Sequence, residues 1–108
     1  MLGSRKEDMN QVLLVGRIKG EPLYKTIANG STLCHVTIET ENSFYGDNEN
    51  KPELFQVTLW NRLIEIHKNK IKSKALVAVN GHLRANNYDK EEEIYFKSDL
   101  IADRMVFL

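Results

Sequence analysis

Two apolar, strand-like runs in this chain carry a glycine in their middles. Residues 11–19 read QVLLVGRIK and residues 75–88 read ALVAVNGHLRANNY. A glycine inside a strand marks a bulge, a sharp bend or the close approach of another backbone. Long strands bent in this way favour a small closed barrel over a flat sheet.

The segments between fit that reading. Glu21-Pro22 ends the first run, residues 23–27 form a short extended piece, and Asn29-Gly30 is a good hairpin turn. Residues 33–41 and 53–60 are further strands, separated by a polar loop (42–52) with Phe44 and Tyr45 at its root. Residues 61–70, NRLIEIHKNK, form the one helical candidate. Asn61 is placed to cap it, Ile64, His67 and Ile71 recur at helical spacing, and lysines crowd its negative end. In 75–88, Val77, Val79 and Leu83 are assigned inward; Ala78, Asn80, His82, Arg84, Asn86 and Tyr88 are assigned outward. Residues 89–93, DKEEE, make a solvated hairpin tip, and 94–108 close the chain as one strand or a broken pair. The expected fold is all-β: a five-stranded Greek-key OB-fold barrel, one helix between strands three and four, and long hairpin loops.

Composition narrows the class. At 108 residues, 42% hydrophobic and 28% charged, the chain suits one globular domain. A domain of this size buries roughly two thirds of its unfolded surface. Fifteen basic residues balance fifteen acidic ones, so net charge alone points to no polyanionic partner. The single cysteine, Cys34, excludes an internal disulfide, shares strand parity with Val36 and Ile38, and is read as core; a reducing compartment fits. No apolar run approaches the roughly 18 residues of a membrane span, so no membrane partner is expected. Residues 1–8 are taken as a leader or tag, with Met9 opening the domain at 9–108.

The strand ELFQVTLW poses the functional question. Phe55, Val57 and Leu59 share one face, and the chain's one tryptophan, Trp60, falls on the other with Gln56 and Thr58. Either a helix or loop covers that face as a second core, or a flat external partner stacks there. Aromatics with scattered cations on strand faces and hairpins form a platform for unpaired bases, worth about 1–3 kcal/mol per stacked base. Cations near phosphates add salt-sensitive affinity. Taken alone, Phe44 or Tyr88 is more often a packing residue or a loop anchor than a ligand contact; it is the combination on a barrel that points to a platform. Catalysis finds no support: His35, His67 and His82 are dispersed, with no metal-ligand spacing, phosphate-cradling loop or nucleophile elbow. His35 and His82 are read as surface strand residues and His67 as helix packing. No enzyme, cofactor or metal is expected.

Five stretches in order resemble the bacterial-type single-stranded DNA-binding protein family: LLVGRI (13–18), EPLYKTIANG (21–30), VTLWNRLIE (57–65), LVAVNGHLRANNY (76–88) and SDLIADRMVFL (98–108). The resemblance covers residues 10–108. It implies an OB-fold, bases stacked on Phe44, Trp60 and Tyr88, and backbone contacts from Lys25 and Arg84; Arg17 and Arg62 are added as further cations. It also implies a cytoplasmic homotetramer acting in replication, recombination and repair with proteins of those processes. The chain departs from the pattern at Leu54, where an aromatic is usual; Phe55 substitutes only if a bulge shifts the strand. Gln56, Asn86 and Asn87 stand where basic residues are common, and Lys72-Ser73-Lys74 replaces a lysine-glycine turn. The departures imply weaker binding. The family usually continues into a linker and acidic tip, so the chain is either truncated or a specialised relative. Two other readings stand beside this one: an OB-fold interaction module for replication proteins, and an RNA-binding OB domain.

Overall fold

The computed structural model describes residues 8–41 and 51–108. Phe44, Tyr45 and nearly all of the expected leader lie outside the described residues. The elements run β1 (Val12–Ile18), β2 (Leu23–Thr26), β3 (Thr32–Thr40), β4 (Glu53–Trp60), α1 (Asn61–His67), β5 (Leu76–Ala85), β6 (Tyr88–Lys90), β7 (Glu93–Tyr95) and β8 (Ser98–Phe107). Five strands follow one another as β1-β5-β8-β4-β3, and β3 returns to β1 through Arg17↔Glu39 and Ile18↔Ile38. This is the expected Greek-key barrel, with α1 between its third and fourth strands. The β4–β8 seam is parallel, through Val57↔Leu100 and Thr58↔Ile101. β2 extends the sheet beside the first half of β3, and β6 and β7 form a separate hairpin.

The two internal glycines sit where the barrel bends shut. A β-carbon on Gly16 would meet the Glu39 carbonyl oxygen and the Ile38 side chain. The next residue, Arg17, already pairs with both β5 and β3. At Gly81 the β5–β8 register slips: Asn80 faces Arg104 but Gly81 faces Ala102, leaving Asp103 as the extra residue of a bulge.

Inward parity builds the core. Ile18, Cys34, Val36, Ile38, Val57, Leu59, Val77 and Val79 are fully buried, and α1 adds Ile64. Each large aliphatic side chain removed from water contributes about 1.5–3 kcal/mol. Cys34 is a core residue, as its parity implied.

Four local expectations are corrected. Asn61 does not cap α1. The N-cap is Trp60, with no side-chain bond, and the Asn61 Oδ1 instead accepts from the Thr32 amide at 2.7 Å. The helix begins flush with the end of β4, so its first side chain reaches the start of β3. The helix also stops at His67 rather than residue 70: the Lys70 amide donates to the His67 carbonyl at 2.8 Å, and this turn delivers Ile71 to the core. The run 75–88 is two strands, broken at Asn86 and Asn87. The Asn86 amide donates to the Lys97 carbonyl and the Asn87 side chain accepts from the Lys97 amide, which sets off the β6–β7 hairpin. Leu83 keeps inward parity opposite Leu100, but it lies near the exposed end of β5 and is 44% exposed.

His67 packs as expected, its ring 5.3 Å from that of Phe107. Its Nδ1 is buried with no hydrogen-bond partner. Burial first, and Lys70 second, push its pKa below the ordinary histidine value. A base whose folded pKa is depressed leaves stability intact above the unfolded value. Stability falls once pH drops through about 6.5, because the unfolded chain takes the proton first. His67→Leu is therefore expected to flatten the decline in stability between neutral and mildly acidic pH, measured by denaturant midpoints across that range. An unchanged slope would assign the decline to other groups.

Candidate nucleic-acid interface

Register decides which side chains meet on the open face. Trp60 stands opposite Leu33, and Leu33 opposite Lys25. Directly opposed residues of antiparallel strands share a face, so Lys25, Leu33 and Trp60 form one row. Two inter-strand spacings put Lys25 and Trp60 about 10 Å apart across the sheet. The next row holds Leu23, His35 and Thr58, then Ile101 across the parallel seam and His82 beyond it.

Of these rows, Leu33, Trp60, His35, Thr58 and Ile101 line a groove of about 410 Å³. Trp60, Thr58 and His35 line one side, and Arg84, Lys97 and Asp99 line the other. The groove continues for about 290 Å³ past Gln56 to Leu54 and Leu83. On its other side Trp60 borders a second groove of about 540 Å³, shared with Arg62 and Arg104. Trp60 is half-buried between the two. The structure thus answers the question its parity raised: the face is an open groove, not a second core.

Strand parity alone places Trp60 and Arg84 on two separate outward faces. The parallel β4–β8 seam brings them into one groove, and Arg62 joins Trp60 in the second. Lys25 lies on the same sheet face, exposed on β2. Arg17 is elsewhere, on the outer side of β1, where its Nη1 donates to the Lys74 carbonyl at 3.1 Å. Tyr88 lines neither groove. It is 53% exposed on the β6–β7 hairpin, stacked on Tyr95 at 5.4 Å with 12° between the rings. Phe44 lies outside the described residues.

The bulge that would let Phe55 take the place of the missing aromatic is absent from β4. β4 pairs with β3 without interruption from Glu53 to Trp60, so Phe55 keeps core parity and Leu54 occupies the open face, 53% exposed. Two groove residues escape a reading of the sequence. Lys97 enters only because the hairpin folds back onto Asn86. His35, expected at the surface, is partly buried, with its Nδ1 3.0 Å from the Thr58 Oγ1. His82 is likewise engaged, 2.8 Å from the carboxylate of the bulged Asp103. The acidic tip is a solvated turn, as expected, with Glu91 and Glu92 both at positive φ (54° and 67°). Among the described residues no His, Cys, Asp and Glu side chains gather as a metal site, and no helix is long and apolar enough to cross a membrane.

A closed Greek-key barrel with an aromatic and several cations on an open strand face belongs to the OB-fold class. Within that class, residues 9–108 match the Single-strand binding protein family, and the chain belongs to it. It is 29% identical over 101 residues to Single-stranded DNA-binding protein B of Bacillus subtilis (strain 168), covering 92% of this chain and 89% of that protein. It is 27% identical over 104 residues to the Single-stranded DNA-binding protein of Neisseria meningitidis (strain MC58), covering 93% of this chain and 60% of that one. The fold is similar to that in the Plasmodium falciparum SSB complex with ssDNA, with a TM-score of 0.74 at 17% identity, covering 97% of this chain and 99% of that one.

Proposed function

We propose that this protein binds single-stranded DNA with little sequence preference, in replication, recombination and repair. Bases stack on Trp60, while Arg84, Lys25 and Arg62 offset phosphate charge. One observation carries the reading: a half-buried tryptophan ring and Arg84 line the same open groove. Stacking tolerates any base because every base has a π-face. Tyr88 extends the platform on the β6–β7 hairpin, Phe44 is a further stacking residue by the family resemblance alone, and Arg17 adds a cation farther round the barrel. No chemical step is assigned to the site. An apolar strip on the outer side of the barrel, with Leu13 and Val15 on β1 and Val106 on β8 exposed, supports self-association into the homotetramer expected of the family. A cytoplasmic, nucleoid-associated location and contacts with replication or repair proteins belong to the same reading.

Titration with oligo-dT, followed by Trp60 fluorescence at several salt concentrations, tests it. Strong quenching that needs more ligand as salt rises is expected, since bases stack on the ring and phosphate contacts release counterions. Absence of quenching by a folded protein would overturn the assignment and turn the groove toward a protein partner.

A further inference from the structure

We propose that His35 contacts the bound strand and takes up a proton as the strand binds. This rests on the reading of the groove as the single-strand site. His35 sits on β3 directly opposite Thr58, and its ring lines the groove that holds Trp60 and Arg84. The Thr58 hydroxyl, 3.0 Å from Nδ1, has one proton to give and two lone pairs to accept with. In the neutral tautomer that carries its proton on Nε2, the hydroxyl donates to Nδ1. Against the charged ring it rotates and accepts from the Nδ1 N–H. Either way Nδ1 keeps its partner, so charging the ring sacrifices no hydrogen bond. No described residue bonds Nε2, which leaves that N–H for an acceptor oxygen of a nucleotide.

The surroundings give the direction of the linkage. Across the groove, β5 contributes Arg84, the residue before β8 contributes Lys97, and β8 contributes Asp99. β2 sets Leu23 opposite His35 and carries Lys25 farther along the same face. β4 offers only the uncharged Gln56, Thr58 and Trp60. A bound strand brings phosphates, neutralises the cations and stabilises a charged imidazole. Binding and protonation therefore favour each other, and reciprocally so. Histidine is the side chain whose ordinary titration falls between pH 5 and 8, where this linkage can be read.

Two measurements on the wild-type chain test the proposal. In the first, the three histidine rings are titrated by NMR with and without oligo-dT. The His35 midpoint is expected to rise by about one pH unit in the complex, and those of His67 and His82 to move less. In the second, affinity is measured by anisotropy of a labelled oligo-dT at constant ionic strength. It is expected to rise about 3–10-fold from pH 8 to pH 6, since a midpoint raised by about one pH unit on binding corresponds to at most a tenfold gain in affinity. His35→Gln is expected to abolish that rise, and His82→Gln to retain it. Binding with no movement of the His35 midpoint, or a full pH dependence in His35→Gln, would overturn the role of His35 and leave the groove as the DNA site. Failure to bind at any pH would remove both.

Discussion

Gly81→Ala is expected to destabilise the barrel more than any other single-methyl change. Gly81 lies in the central run of β5, paired with Val12 on one side and Ala102 on the other. Its added β-carbon would be driven into the carbonyl oxygen of Ile101, with the Leu100 side chain behind it. The obstruction is backbone on a paired strand, so no rotamer change relieves it. The sheet must open at the bulge or shift its register, and a one-residue shift turns every side chain of a strand to the wrong face. Overpacking a well-packed site costs about 1–3 kcal/mol and sometimes more. This site belongs at the top of that range, against a total stability of roughly 5–15 kcal/mol. Gly20→Ala is the control. Gly20 has φ +76° with nothing near its would-be β-carbon, so that change carries only left-handed backbone strain of about 1–2 kcal/mol. Denaturant midpoints of the two variants separate the effects. A Gly81→Ala midpoint no lower than that of Gly20→Ala would show that the close approach of β5 and β8 is not needed.

The same glycine shows how far the sequence could be read. A glycine within an alternating run is a local signal of a bulge, bend or close backbone approach, so the bends at Gly16 and Gly81, and the barrel they imply, were legible. Parity was legible too: it put Cys34 in the core and Trp60 on an outward face. Illegible were the features decided by distant partners. Asn61 has the chemistry of a helix cap, but the start of β3 lies within its reach, and a strand amide took the bond. Residues 75–88 alternate well enough for one strand. Only the return of Lys97 onto Asn86 breaks them in two, and that return also carries Lys97 into the groove. Trp60 and Arg84 lie on strands that do not touch each other. β8 sits between β4 and β5, and its parallel register with β4 is written in no local pattern. The candidate residues could be named from sequence; which of them share a groove could not.

Trp60→Ala is expected to weaken binding of single-stranded DNA by about 1–3 kcal/mol, some 5- to 150-fold, while leaving the domain folded. The ring is half-buried between two grooves and is absent from the buried core, so its loss is expected to remove the proposed platform without unfolding the domain. Trp60→Phe keeps an aromatic face and is expected to recover most of the affinity. Either change removes the chain's one tryptophan, so binding is read by anisotropy of a labelled oligo-dT and folding by far-UV circular dichroism. The salt dependence supplies the discriminating control. Stacking releases no counterions, so Trp60→Ala is expected to lower the affinity by a similar factor at every salt concentration. Arg84→Ala removes the proposed phosphate contact and is expected to reduce the slope of log K against log salt by about 0.7. If Trp60→Ala unfolds the domain, the ring is core after all. If it binds as tightly as the parent, the strand lies elsewhere on the barrel. A drop in affinity at constant slope, beside a drop in slope for Arg84→Ala, assigns the bases to the ring and the phosphates to the guanidinium.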